Sequence, residues 1–202
     1  MKTQFKFRLI ILAFATISAF SIGCTPTGPS LPLPCSTVNT LFQQIYTNVV
    51  AIPGDTNTVT MDTEVHGYDF TVSANKTICK IGYQSQPAVA SQLYKIEIID
   101  NTTSTTLFSQ NTTFSATTTS YISVPNIAVV PGHSYTIQRT LTNWLGNIGN
   151  TVGRLVREVN GGSIPFPHTV GVMTITGARF HQTSNPSVVS TFGIPYIDIA
   201  FQ

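Results

Sequence analysis

Apolar and polar residues alternate along most of the chain from residue 65 to the C-terminus. Tyr68, Phe70 and Val72, for example, are separated by Asp69 and Thr71. A period of two is typical of half-buried β-strands, with one face in a core and the other in water. The same pattern recurs at 79–83, 94–98, 135–139 and 197–201, with turn-forming residues between the runs.

Few positions favour a helix. Residues 41–50 have Leu41 and Ile45 four apart, as in a short helix, but end in a β-branched pair that also fits a first strand. We favour the strand. The pattern predicts an all-β fold, an antiparallel β-sandwich of eight to ten short strands with little helix.

The N-terminus has the features of an export signal. Lys2, Lys6 and Arg8 precede an apolar run over 9–22, which is too short for a typical membrane span. Small residues before Cys24 resemble the lipobox of bacterial lipoproteins, although Ser21 and Ile22 depart from its usual pattern. The resemblance implies a signal peptide over 1–23 and acylation of Cys24. A plain secretory signal cut nearby, or an uncleaved anchor, is the alternative.

Residues 25–34 contain four prolines, which prevent a helix and favour an extended tether. At ~3.1 Å per residue, this segment would hold a domain roughly 30 Å from a membrane. We therefore expect a lipidated Cys24 and tether over 24–34, and one sandwich domain over 35–202. A signal for retention in the inner membrane would have an acidic residue at position 25, where this chain has Thr25. The absence of that acid favours the outer membrane or the cell surface.

Removal of the signal leaves seven basic against eight acidic residues, a net charge of −1. The remaining basic residues are scattered, which argues against nucleic acid as a partner. Cys35 and Cys79 then form an even pair in an oxidising compartment, and could be either a disulfide or two separate thiols.

Two stretches, 64–83 and 94–137, contain three recurring spacings. These are Gly-x-x-Phe-x-Val from Gly67, Ile-x-x-Ile-x-Tyr from Ile78 and Pro-Gly-x-x-Tyr-x-Ile from Pro131. They resemble a β-sandwich module of unknown function that is common in secreted bacterial proteins. The resemblance implies a jelly-roll-like, surface-exposed or carbohydrate-associated domain, and it carries no catalytic residues over.

No common nucleophile elbow, zinc signature or phosphate-binding loop is present in the sequence. Glu64 and His66 are two residues apart and would share a strand face, as a weak metal or acid–base candidate or as an ordinary exposed face. The acids Asp55, Asp62, Glu64 and Asp69 could hold calcium or could line a solvated loop.

Trp144 is the only tryptophan and lies between Asn143 and Asn147 in a predicted loop. An aromatic ring beside side-chain amides suits sugar binding, because the ring stacks on C–H faces while the amides bond hydroxyls. Alternatively, Trp144 closes the end of the sandwich. The sequence therefore favours a lipid-anchored, non-enzymatic envelope module that binds a glycan. The alternative is an assembly subunit that contacts an envelope protein, and a hydrolase with dispersed catalytic residues ranks last.

Overall fold

The computed structural model of the protein describes residues 35–185 and 189–202. Strands hold 50% of the described residues and helices 10%, which confirms the all-β prediction. The expected signal peptide (1–23), the lipidated Cys24 and the tether (24–34) lie outside the described residues. Within the described ranges, no helix is long and apolar enough to cross a membrane.

The described chain contains one α-helix and twelve strands, more strands than the eight to ten expected, because two of them are only three residues long. In chain order the elements are α1 (Leu41–Val50), β1 (Asp55–Thr60), β2 (Val65–Val72), β3 (Lys76–Tyr83), β4 (Tyr94–Asp100), β5 (Thr105–Thr112), β6 (Ser120–Val129), β7 (Ser134–Leu141), β8 (Gly153–Glu158), β9 (His168–Val170), β10 (Met173–His181), β11 (Gly193–Pro195) and β12 (Asp198–Phe201).

The strands form three antiparallel sheets, in the orders β5-β4-β7-β2-β10-β9, β12-β3-β6 and β1-β8-β11. The pairs β4–β5, β3–β6 and β2–β7 are nested in sequence and alternate between the first two sheets. Nested antiparallel pairs that alternate between two facing sheets are the connectivity of a jelly roll.

The alternating apolar residues face one shared core. Tyr68 and Phe70 of β2 lie opposite Ile137 and Tyr135 of β7, and all four are buried. Between the sheets, the rings of Tyr83 in β3 and Tyr94 in β4 meet with centroids 5.2 Å apart. In β4 every second residue is buried, which accounts for the period of two in its sequence.

The preference for a strand over residues 41–50 is wrong, because these residues form helix α1. The Thr40 hydroxyl accepts a hydrogen bond from the Gln43 backbone N–H and caps the helix. The buried residues of α1 have helical spacing and pack against the sandwich, and this burial outweighs the β-branched tail: Phe42, Ile45, Tyr46 and Val49.

Cys35 and Cys79 form a disulfide, with Cα atoms 6.1 Å apart. It fixes the first described residue to the middle of β3, since Cys79 is the fourth of the eight residues of that strand. We call the end of the sandwich where β2 stops and β3 begins the tether end, and the other end of β2 the distal end. The eight residues of β2 separate the two ends by about 24 Å at ~3.4 Å per residue step.

A candidate ligand-binding cleft at Trp144

Trp144 lies at the distal end, just after β7. It precedes a 3₁₀ turn at Leu145–Asn147 and belongs to the connection between β7 and β8, residues 142–152, which we call the Trp144 loop. The indole is partly buried and packs against the core, so Trp144 does help to close the sandwich. Its N–H is buried without a well-formed hydrogen bond to any described residue.

A cleft of about 290 Å³ opens beside Trp144. Its walls come from the Trp144 loop, from the segment before β2 and from the turn after β10. Apart from Trp144 and Leu145, the lining side chains are hydroxyls, amides and one carboxylate: Glu64, Thr142, Asn143, Gln182, Thr183 and Ser184. One aromatic ring among neutral hydrogen-bonding groups is suited to a polyhydroxylated ligand.

The structure brings two of the three predicted ligand-binding residues into this cleft. Trp144 and Asn143 line it, whereas Asn147 is outside the lining. The Asn147 amide donates to the backbone carbonyl of Asn143 at 2.7 Å and shapes the turn. Gly146 leaves room for the Asn143 side chain, since a Cβ there would lie 2.8 Å from the Asn143 Oδ1.

Glu64 and His66 have separate roles. Glu64 precedes β2, and its Oε2 accepts hydrogen bonds from the backbone N–H and hydroxyl of Thr183 at 2.8 and 2.7 Å. His66 is fully buried, and its Nε2 bonds the carbonyl oxygen of Met61 at 2.7 Å. Burial and the nearby Arg139 cation hold the pKa of His66 well below its ordinary value, so the ring is neutral.

The four acids considered for calcium are used in different places. Asp55 begins β1, and Asp69 pairs with Arg179 through two hydrogen bonds of 2.8 Å. Asp62 and Glu64 flank the cleft but bond protein donors. In the part of the chain that the structure describes, no three His, Cys, Asp or Glu side chains group as metal ligands.

Asp62 fastens the base of the Trp144 loop. Its carboxylate accepts hydrogen bonds from the Gly149 N–H, the Thr151 hydroxyl and, at 3.3 Å, the Thr151 N–H. Burial alone would raise the pKa of Asp62, but these bonds, with a contribution from the Trp144 indole, lower it below its ordinary value. Asp62 is therefore ionised at neutral pH.

Arg139 supports the same region from inside the sandwich. Its side chain is fully buried, and its Nη2 donates to the Thr151 carbonyl at 2.9 Å. Its Nη1 donates to the carbonyls of Glu64 and Thr63 at 3.2 and 3.4 Å. No described carboxylate lies within ion-pair distance of it. The guanidinium thus joins the segment before β2 to the Trp144 loop through backbone carbonyls.

A second cleft, of about 310 Å³, lies at the tether end. Its lining is more apolar and is contributed partly by the first described residues: Ser36, Val38, Asn39, Thr40, Leu41, Lys76, Gly171, Val172 and Phe201. We place the candidate ligand site at the distal cleft, because six of its eight lining residues have hydrogen-bonding side chains, against four of nine in the tether-end cleft.

Two chemically notable groups were not found from the sequence. Asp198 is fully buried and accepts hydrogen bonds from Thr40, Gln43 and Tyr121 at 2.5 to 2.7 Å. These bonds connect β12 to the start of α1. His133 pairs with Asp100 at 2.7 Å beside the turn between β6 and β7.

No family model matches the chain, and no curated protein matches it in sequence. The geometry of the distal cleft is therefore the basis on which a function can be assigned.

Proposed function

We propose that this protein is an exported, lipid-anchored and non-enzymatic binding module of the cell envelope, and that it takes a glycan in the cleft at Trp144. The observation that carries the proposal is the cleft itself, with an aromatic ring and several neutral hydrogen-bonding side chains at one end of the sandwich. Glu64 has one carboxylate oxygen engaged by Thr183, which leaves the other for a sugar hydroxyl.

The N-terminal sequence supports the anchor. A basic start, a short apolar run and Cys24 resemble a bacterial lipoprotein signal, and a proline-rich tether follows. The Cys35–Cys79 disulfide agrees with an oxidising compartment. The outer membrane or the cell surface is the expected location.

The position of the cleft also supports the proposal. Cys35 is bonded to the middle of β3, whereas the Trp144 loop follows β7 at the distal end of the sandwich. Loops at the end of a rigid sandwich are a common place for ligand binding.

Fluorescence can test the glycan proposal directly, since Trp144 is the only tryptophan. The full chain in detergent is screened against neutral and acidic oligosaccharides, with and without chelator, while Trp144 emission is followed. We expect a saturable emission change for one class of oligosaccharide. Sensitivity to chelator would add calcium to the site.

A pair of asparagine variants locates the binding. Asn143→Ala removes an amide from the cleft, and Asn150→Ala removes one from an exposed position of the same loop outside the lining. We expect loss of affinity only in Asn143→Ala. If Asn143→Ala and Asn150→Ala bind the oligosaccharide equally well, the binding site lies elsewhere. If no oligosaccharide binds in the screen, the proposal of a glycan ligand is refuted.

Strand β5 favours a second candidate, an assembly subunit of an envelope complex. Among the described strands, β5 is an edge strand paired with β4 alone, and its exposed sequence TTLFSQNT has no charge and no proline. Such an edge can accept a strand from another protein. Ser109→Lys on this edge should release a partner from complexes extracted from the membrane, and unchanged complexes would count against this candidate.

A further inference from the structure

The short segment before β2 contacts both walls of the distal cleft through two carboxylates. Asp62 bonds Gly149 and Thr151 of the Trp144 loop. Glu64, two residues later, bonds Thr183 in the turn after β10. The two walls are far apart in sequence, and these side chains tie them to one segment.

The segment itself is held in an uncommon conformation. Met61 has a φ of 64°, in the left-handed region that non-glycine residues rarely adopt. The Thr63 N–H donates to the Met61 carbonyl at 2.9 Å, which closes a tight turn around Asp62. His66 bonds the same carbonyl at 2.7 Å from the core side. Backbone strain of this kind persists only where surrounding contacts enforce it.

Asp62 has the most direct connection to Trp144. Its partners Gly149 and Thr151 lie in the second half of the Trp144 loop, and the indole is close enough to help lower the pKa of the Asp62 carboxyl. The exposed Leu145 and Ile148 give the outer part of the loop little packing of its own. The carboxylate is thus a main attachment of this loop to the rest of the domain.

We infer that Asp62 is the positioning residue of the cleft and holds the Trp144 wall at a fixed distance from the Glu64 wall. The inference rests on the proposed function only in treating this cleft as the ligand site. Asp62 would act through the loop and not by touching the ligand. A pre-organised cleft binds more tightly because less order is lost on binding.

The test uses the full chain in detergent, with acrylamide as the probe of Trp144. We compare Asp62→Ala and Asp62→Asn with Asp55→Ala, which removes an acid at the start of β1, outside the cleft. We expect Asp62→Ala to shift the emission to the red and to increase acrylamide quenching. Asp55→Ala should leave both unchanged. Far-UV circular dichroism verifies that each variant retains its sheets.

The asparagine variant separates positioning from a general loss of structure. Asn keeps one acceptor oxygen, for Thr151, but turns an N–H donor towards the Gly149 N–H. We therefore expect an intermediate change in emission and quenching, with the fold intact. If Asp62→Ala does not fold, Asp62→Asn carries the test. Wild-type emission and quenching in a folded Asp62 variant would overturn the inference.

The outcome is distinguishable from that of the proposed function. A loosened Trp144 in Asp62→Ala, with no oligosaccharide bound by the wild type, would support the positioning role and refute the glycan. Glycan binding that needs Asn143 but is unaffected by Asp62→Ala would support the glycan and refute the positioning role of Asp62. If only about a tenth of the Asp62→Ala molecules kept the cleft in its binding conformation, the affinity for the oligosaccharide would fall about tenfold.

Discussion

Arg139 is a buried cation with no carboxylate of the described residues within ion-pair distance, and it allows a quantitative prediction about the sandwich. We consider Arg139→Met, which removes the charge at similar volume, and Arg139→Lys, which keeps it. The guanidinium makes one good hydrogen bond to a buried carbonyl, that of Thr151 at 2.9 Å. Its bonds to Glu64 and Thr63 are longer, and the Glu64 carbonyl also accepts the Leu141 N–H at 3.0 Å.

Loss of the donor to the buried Thr151 carbonyl should cost about 2 kcal/mol. The guanidinium also lies 5.9 Å from the ring centroid of Tyr83 and 5.7 Å from that of Tyr94. Cation–π contacts of this kind contribute roughly 1 kcal/mol each. Against these losses, Met removes the desolvation of a buried charge, which is worth several kcal/mol.

The two sides nearly cancel, so we expect Arg139→Met to lower the free energy of unfolding by only about 1–2 kcal/mol, less than the 3–5 kcal/mol typical of a broken buried ion pair. Arg139→Lys should cost more, about 3 kcal/mol or above, because an ammonium is more strongly hydrated and lacks the planar fork that spans the carbonyls.

Urea unfolding followed by Trp144 emission and circular dichroism measures both variants. With a slope of about 2 kcal/mol per M, the midpoint should fall by roughly 0.5–1 M in Arg139→Met and further in Arg139→Lys. A lysine variant as stable as the wild type, or a methionine variant that loses more than about 5 kcal/mol, would refute the reasoning from desolvation.

Three other measurements test the fold. Replacing Cys35 and Cys79 by serine opens a loop with a sequence separation of 44 and should cost about 4 kcal/mol, measured as a fall in Tm that a reductant reproduces in the wild type. Gly153→Ala should lower the free energy of unfolding in urea by about 1–3 kcal/mol, because the new Cβ would lie 2.7 Å from the His66 Nδ1. Much of that loss should disappear when His66 is also replaced by alanine. Burial and the neighbouring phenol of Tyr83 raise the pKa of Tyr94 from 10.0 to about 12. The contribution of Tyr94 to the free energy of unfolding is therefore complete below pH 10 and is lost as the pH rises towards 12. Tyrosinate absorbance that increases without loss of the circular dichroism signal would contradict this expectation.

A strand such as β4 could be predicted because every second residue is buried, which imposes the period of two. Helix α1 shows why the same method failed locally. Its buried residues Phe42, Ile45, Tyr46 and Val49 have helical spacing, but the β-branched end of the segment suggested a strand. Packing of that face against the sheets decided the outcome, and propensity alone does not include such contacts.

The candidate site was only partly accessible from the sequence. Trp144 and Asn143 were identified because they are neighbours in a polar loop. Gln182 and Ser184 reach the cleft only through the pairing of β10 with β2, which residue spacing does not reveal. His66 illustrates a missed signal, since it is in phase with the inward-facing Tyr68 of the same strand and so belongs to the core.

The disulfide has a mechanical consequence for a chain anchored through Cys24. A pulling force on the tether would enter the domain at Cys35 and pass through the covalent bond to Cys79 in β3. β3 is the central strand of its sheet, bonded to β12 on one side and β6 on the other. The load is thus shared between two hydrogen-bond ladders, whereas a reduced chain would first peel away residues 36–40 and then α1. In a chain anchored in this way, oxidation of one pair of thiols would determine whether the domain resists a pulling force or unfolds from its N-terminal end.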